Sequence, residues 1–517
     1  MNFSQKDLQQ IEEKGLSIEK VKEQIEIFKR GNVALDIQAA STVWDGIFFY
    51  SEQEKYEYTS YYEKQKDQLE ILKFVPASGA ATRMFQDLQI FLEEFKPKTE
   101  SLPEYLKRTN NKNLKLFFDN IEKLPFYKRT LNNARENQPG FDELNRHARK
   151  LLLVRTILYS HGLDLSNYPK GLVPFHDYTD YVATAFEEHF YEAAKYAEAN
   201  GKARLHFTVS KEHKEKFEAE FDDIESRVVK KTGVKFQVSY SSQDPKTDTI
   251  AVDLNNEPFR TKDGELFFRP GGHGALIENL NNQKADLVFI KNIDNVVTTA
   301  KLDEIAEYKK ILAGKLLKVQ EMCFSYLNSL ETQKPLEKNI QGILQFIENE
   351  LFFTFPEDFD HLSEENKIQQ LKSRLNRPLR ICGMVKNEGE PGGGPFLLKM
   401  RNGAHSIQII EGAQIDKNDL HQKQIAKNST HFNPVDLVCG LRNYKGEAFD
   451  LTEFVDPETY FITSKTIDGK AVKALELPGL WNGAMAKWNS VFVEVPVSTF
   501  NPVKTITDLL KPSHQPS

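Results

Sequence analysis

Apolar positions fall at helical spacing through the first part of the chain and then give way to short continuous runs. Ile18, Val21, Ile25 and Phe28 share one helical face ahead of Gly31, so residues 1–68 read as a mostly helical, charged N-terminal arm. The apolar run at 69–77 predicts a first buried strand. Residues 82–95 predict a helix with Met84, Leu88, Phe91 and Phe95 near one face. Residues 96–166 are polar, with Leu and Phe at helical intervals (Leu151, Leu152, Val154, Ile157), and read as a helical insertion. Strands at 204–210, 234–240 and 285–291 then alternate with helices at 211–221 and 274–282, a rhythm that implies βαβ units. Long helical segments at 302–330 and 336–353, a turn-prone acidic stretch at 356–365, and strands at 380–386, 406–410 and 490–496 complete the pattern. The expected class is α/β, a mainly parallel mixed sheet with helical additions. The expected division is an arm at 1–68, a core at 69–376 with insertions at about 96–166 and 302–376, and a C-terminal part at 377–517.

Composition narrows the function. A chain of 517 residues with 39% hydrophobic and 28% charged residues buries a large core and is not a disordered polymer. No apolar stretch reaches the roughly 20 residues needed to span a bilayer. The first residues are polar and acidic rather than signal-like, so a cytoplasmic location is expected. Cys323, Cys382 and Cys439 are too scattered for a disulfide framework or a zinc site and read as buried small hydrophobes. A net charge of −7 with interspersed signs gives no footprint for nucleic acid, so anionic ligands need local positive groups.

Five segments supply such groups or their companions. Residues 73–85 (K-F-V-P-A-S-G-A-A-T-R-M-F) run from an apolar strand into a small-residue loop and a helix. There the backbone N–H groups of Ser78, Gly79, Ala80, Ala81 and Thr82, with the charge of Arg83, suit a phosphate. Tyr168-Pro169-Lys170-Gly171-Leu172 fixes a lysine beside a proline; alone it is a turn with a solvated lysine. Residues 268–276 (F-R-P-G-G-H-G-A-L) place glycines around His273, permitting close approach to a flat ligand; alone they read as a glycine-rich helix entry. Residues 285–295 deliver Asp294 at the carboxyl end of a buried strand, where ligands of open α/β sheets bind. That carboxylate suits Mg²⁺, or equally caps the next turn. Thr499 to Leu510 fix Lys504 after a proline.

Together and in this order, the T-R-M loop, P-K, P-G-G-H-G, N-I-D-N and P-V-K-x-x-x-D-L-L resemble the UDP-sugar pyrophosphorylase superfamily, over roughly residues 69–511. Gln408-Ile409-Ile410-Glu411 resembles that family's strand with a glutamate near the sugar, and Leu475-Glu476 its later L-E segment. Residues 382–396, 430–436 and 477–483 more closely resemble a bacterial branch known mainly as a domain of unknown function. The resemblance implies a nucleotidyltransferase fold, GT-A-like and Rossmann-like. It also implies roles: Ser78 to Arg83 on nucleotide phosphates, Lys170 neutralising them, Gly272, His273 and Gly274 along base and ribose, Asp294 on Mg²⁺ and Lys504 at the reacting centre. Gln243 is a candidate for a base edge. The chain departs from the superfamily at Ala81, where glycine is usual.

The implied reaction joins a nucleoside triphosphate, UTP foremost, to a sugar 1-phosphate or similar phosphate acceptor and releases pyrophosphate. It needs charge and alignment rather than a general base, which accounts for the lack of a Ser-His-Asp or Cys-His arrangement. The glycine-rich loop 388–395 reads as a cover over the sugar, through Asn387, Glu388, Gly392 and Gly393, or as a hinge. His431 reads as a hydrogen-bonded structural histidine, and Trp481, Met485 and Trp488 as core at helical spacing. Two other activities stay open: a silent nucleotide or nucleotide-sugar binding protein, and a glycosyltransferase using a ready-made nucleotide sugar.

Overall fold

The computed structural model describes residues 3–332, 337–389, 392–416, 418–467 and 469–516. The chain forms two compact units that interleave along the sequence. The first comprises Met1–Phe74, Ser241–Ile290 and Tyr308–Val497; the second comprises Val75–Tyr240, Lys291–Glu307 and Ser498–Ser517. No described helix is long and apolar enough to cross a membrane.

The first unit is built on a mixed sheet. Leu379–Lys386 lies parallel to Asn489–Glu494 and antiparallel to His431–Gly440, and Leu287–Lys291 lies parallel to Ile71–Pro76. These strands are buried almost end to end, which is why they read as continuous apolar runs rather than alternating ones. Leu72, Phe74, Val288, Ile290, Met384, Leu437 and Trp488 share one core. All three cysteines are buried and free, as their scatter predicted. The strand His431–Gly440 has no counterpart among the predicted elements. It carries Pro434 beside a bulge, and Val435 there holds a left-handed φ of 61°.

The N-terminal arm docks on this unit by the face its periodicity defined. Val21, Ile25 and Phe28 pack with Ile250, Val252 and Leu475. Helices Gln5–Glu13 and Ile18–Arg30 start at the serine caps Ser4 and Ser17. Asp7 takes a two-pronged contact from Arg260 at 2.7 and 2.9 Å, which holds its carboxyl well below the usual range. The arm also contributes a strand, Asp36–Ala40, paired antiparallel with Gly394–Lys399.

The second unit carries the predicted helical insertion, from Leu102–Thr109 to Arg146–Leu158. Its centre is a helix absent from the predicted elements, Ala185–Tyr196. Phe186 and Phe190 stack into Phe207 and Phe221, with ring centres 4.5 and 5.3 Å apart. Three wholly buried carboxylates on the same helix each find a partner. Glu187 meets Arg227 at 2.8 Å, Glu192 meets Lys291 at 2.7 Å, and Glu188 meets His176 at 2.7 Å. His189 Nε2 donates to the Ile293 carbonyl at 3.1 Å, so this helix fixes the strand end that carries Asp294.

Candidate functional site

The predicted site residues fall into two groups, one in each unit. In the second unit the strand Ile71–Pro76 ends in an exposed turn at Ser78, Gly79 and Ala80. The N–H groups of Gly79 and Ala80 meet no backbone acceptor among the described residues, whereas Ala81 N–H donates to the Tyr168 carbonyl at 3.0 Å. Lys170 N–H in turn donates to the Gly79 carbonyl at 2.9 Å, so the loop and the Pro169-Lys170 turn are laced together. The Lys170 ammonium pairs with Asp294, both side chains largely buried. The Asp294 carbonyl accepts from Val503 N–H at 3.1 Å, and Asn295 Oδ1 accepts from Asn501 N–H at 2.7 Å. The chain is thereby drawn past Asp294 and presents exposed Lys504.

Lys504 sits on a turn built by a residue that the motif contained but that received no role. Asp508 Oδ2 accepts from the N–H groups of Lys504 and Thr505 at 2.8 and 2.7 Å. Burial pushes the Asp508 carboxyl up, but the Lys511 ion pair and the Thr505 contacts outweigh it and leave the net shift downward. A carboxylate four residues after the lysine, ahead of Leu509 and Leu510, is the capping signal that identifies it in sequence.

Two expectations change here. The α-helix after the loop starts at Gln86 rather than Thr82, because Ala81 to Arg83 form a 3-10 turn whose Ala81 carbonyl takes the Met84 N–H at 2.8 Å. A helix dipole acts only within its first turn, so the loop relies on local N–H groups and on charge. Ala81 is completely buried, so its methyl group lies away from the exposed face formed by Ser78, Gly79, Ala80 and Thr82. Arg83 is exposed, and Thr82 Oγ1 donates to the Ser166 carbonyl at 3.3 Å.

Asp294 is the carboxylate assigned to Mg²⁺. Among the described residues no three His, Cys, Asp or Glu side chains converge as a metal cage. One carboxylate suits an ion that arrives on substrate phosphates and keeps several waters, but not an ion held by protein alone.

In the first unit two separately noted segments converge. Gly274 and Gly479 permit the approach: a Cβ on Gly274 would stand 2.6 Å from the Pro478 carbonyl oxygen, and one on Gly479 would stand 2.3 Å from His273 Cε1. His273 stacks flat on Trp481, centres 4.2 Å apart and planes at 2°, and its Nδ1 accepts from Leu480 N–H at 3.1 Å. Trp481 is partly buried and packs against the core, and Met485 and Trp488 are wholly buried, as predicted. Their helical spacing comes from a short 3-10 turn, Gly483–Met485. Glu411 lies 3.8 Å from His273 Nε2 and accepts from Asn482 Nδ2 at 3.0 Å. Desolvation raises the Glu411 carboxyl, helped by the charge of Glu476, and lowers the His273 imidazole.

Gly393 belongs to this cluster: its carbonyl accepts from Asn433 N–H at 2.7 Å, and a Cβ there would stand 3.0 Å from Ile409 Cγ2 and 3.4 Å from Glu411 Cγ. Gly392 lies against Phe432. Asn387 and Glu388 are exposed; Asn387 Oδ1 only closes a local turn with Gly389 N–H at 2.8 Å. Glu390 and Pro391 of the same loop lie outside the described residues. Gln243 is half-buried, and its Nε2 has no hydrogen-bond partner among the described residues. His431 is structural, held between Thr430 and Glu494 at 2.8 Å each.

Among solved structures, the chain is similar to the uridine diphosphate N-acetylglucosamine pyrophosphorylase of Trypanosoma brucei, at 13% identity and TM-score 0.48, covering 95% of this chain and 74% of that one. It is also similar to the UDP-glucose pyrophosphorylase of Leishmania major, at 12% identity and TM-score 0.44, covering 98% and 79%. A third is a putative UDP-N-acetylglucosamine pyrophosphorylase of Entamoeba histolytica, at 11% identity and TM-score 0.44, covering 90% and 82%. No curated protein matches the chain. A family model described as Domain of unknown function (DUF4301) matches residues 4–515, and the chain belongs to that family.

Proposed function

We propose that the protein is a nucleotidyltransferase that joins a nucleoside triphosphate, UTP foremost, to a sugar 1-phosphate and releases pyrophosphate. The observation that carries this reading is the second unit's gathering of the exposed loop 78–80, the Lys170–Asp294 pair and Lys504. The open N–H groups of Gly79 and Ala80 suit triphosphate oxygens. Lys170, Lys504 and Arg83 add the positive charge that phosphoryl transfer requires.

A sugar-phosphate oxygen, already ionised, forms the bond to the α-phosphorus as the bond from that phosphorus to the bridging oxygen of pyrophosphate breaks. The electron pair leaves with pyrophosphate, so no general base is needed. Mg²⁺ carried on the phosphates would supply further charge neutralisation, with Asp294 as its protein ligand. In the first unit we assign Gln243, Gly272 and Gly274 to the base and ribose, and Glu411, Gly392 and Gly393 to the sugar ring. The stacked His273–Trp481 pair offers a flat surface for either ring.

The test is pyrophosphate release across four nucleoside triphosphates and a panel of sugar 1-phosphates, with Mg²⁺. Release that requires one specific pair supports the reading. Binding without release favours the second reading, a nucleotide-binding protein without turnover, for which the observation is that Lys170 is already committed to Asp294. Release of free nucleoside diphosphate from a nucleotide sugar would favour a glycosyltransferase.

A further inference from the structure

Within the first unit, a cavity of about 530 Å³ whose lining includes none of the residues assigned above opens beside the end of the helix Glu364–Leu375. Lys372, Asn376, Arg377 and Lys487 line it, with Tyr444 and one acid, Glu453. Such a volume accommodates a small metabolite.

Its charges are out of balance. Arg377 gives two N–H groups to backbone carbonyls, Ser373 at 2.9 Å and Lys487 at 3.2 Å, and faces no carboxylate that offsets its desolvation. Directly behind it Arg374 is buried at 3% exposure with its guanidinium 3.9 Å from the Phe353 ring centre, and the two cations repel. Arg374 Nε, a donor, is buried without a partner among the described residues. Lys487 has no salt-bridge partner within 4 Å among the described residues, and Lys372 meets a counter-charge only at longer range, from Glu331. Two acids, Glu453 in the lining and Glu331 behind Tyr444, stand against three lining cations, and Glu331 is shared among Tyr444, Lys445 and Lys372. Desolvated cations without counter-charges are unfavourable unless something supplies the charge. A helix C-terminus tolerates one capping arginine, but it does not call for two guanidinium groups and two lysines.

We propose that this cavity binds a small oxyanion, a phosphate- or carboxylate-bearing molecule, through Arg377, Lys372 and Lys487. It is a second anion site, independent of the loop at 78–83. Arg377 supplies the planar fork, and the lysines supply charge at the mouth.

The test uses the full chain and two probes, inorganic phosphate and citrate, titrated at matched ionic strength by calorimetry and thermal melting. The wild type and Lys170→Gln should both bind one of the two probes at this site. Lys372→Gln/Lys487→Gln should bind it at least tenfold more weakly, with an unliganded melting temperature unchanged or raised because like charges are removed. Arg377→Gln should abolish binding; if it fails to fold, the lysine pair still decides the matter. Preference between the two probes names the source of the oxyanion. Equal binding by the double variant, loss of all anion binding in Lys170→Gln, or no binding of either probe by the wild type would overturn the proposal.

Discussion

Replacing Gly79 by alanine separates folding from ligand binding at the loop. A Cβ built on Gly79 meets no atom within 4 Å, and its backbone is not in the left-handed region. The substitution therefore introduces no clash and restricts the unfolded chain, which stabilises by about 0.4–1 kcal/mol. In a protein this large that raises the melting temperature by only about 0.4–1 °C. The same methyl group projects into the open space that a phosphate needs in order to reach the Gly79 and Ala80 N–H groups. Loss of one charge-assisted hydrogen bond removes about 1.5–3 kcal/mol, or roughly ten- to a hundredfold in affinity. Calorimetry with UTP and Mg²⁺, paired with melting curves, reads both effects on one sample. A more stable variant that binds UTP as tightly as the wild type would refute the assignment of the loop to phosphate.

Ala81→Gly acts in the opposite sense. It removes a buried methyl group and loosens the chain, so stability should fall by about 1 kcal/mol with UTP affinity unchanged, checked by urea unfolding and calorimetry. Asp294→Asn should abolish Mg²⁺-dependent pyrophosphate release while circular dichroism stays native; undiminished turnover removes Asp294 from the reaction. Lys291→Met removes the cation from Glu192, both side chains at most 1% exposed, and should destabilise by about 3–5 kcal/mol even though Tyr196 Oη still donates to that carboxylate at 3.2 Å; Lys291→Met/Glu192→Leu should recover part of it in urea titrations. His206 is 3% exposed and pulled down to about 4 by burial, so its contribution is present above the unfolded value near 6.5 and is lost as pH falls towards 4. Between pH 7.5 and 5.5 it should remove about 1.4 kcal/mol of stability, a slope absent from His206→Gln; parallel profiles would refute it.

Strands buried on both faces and the amphipathic arm were legible because burial and apolar character coincide there. Leu287–Lys291 and the face of Val21, Ile25 and Phe28 stand where periodicity put them. The helix Ala185–Tyr196 was not legible. Glu187, Glu188, His189 and Glu192 are all buried, and their partners lie elsewhere in the sequence, so no helical stripe of apolar residues marks it. The strand His431–Gly440 was hidden by Asn433, Pro434 and Asp436. Asp436 is buried because it pairs with Lys309, and Pro434 is tolerated at a bulge. At the candidate site, local spacing exposed the loop, the two lysines and Asp294. The convergence of Gly274 with Gly479, and the stacking of His273 on Trp481, depend on contacts between segments some two hundred residues apart. The capping role of Asp508 was available from spacing alone.

The interleaving of the units sets a timetable for synthesis. Arg83 leaves the ribosome about 420 residues ahead of Lys504. At roughly 5–20 residues per second the two are separated by about 20–85 s. During that interval the nascent second unit lacks the segment 498–517, while the sheet partners of the first unit accumulate. The loop at 78–80 and the Lys170–Asp294 pair thus wait for the segment that carries Lys504. A ribosome-stalled chain ending before residue 498 should fold much of its first unit while its second unit lacks the turn that carries Lys504.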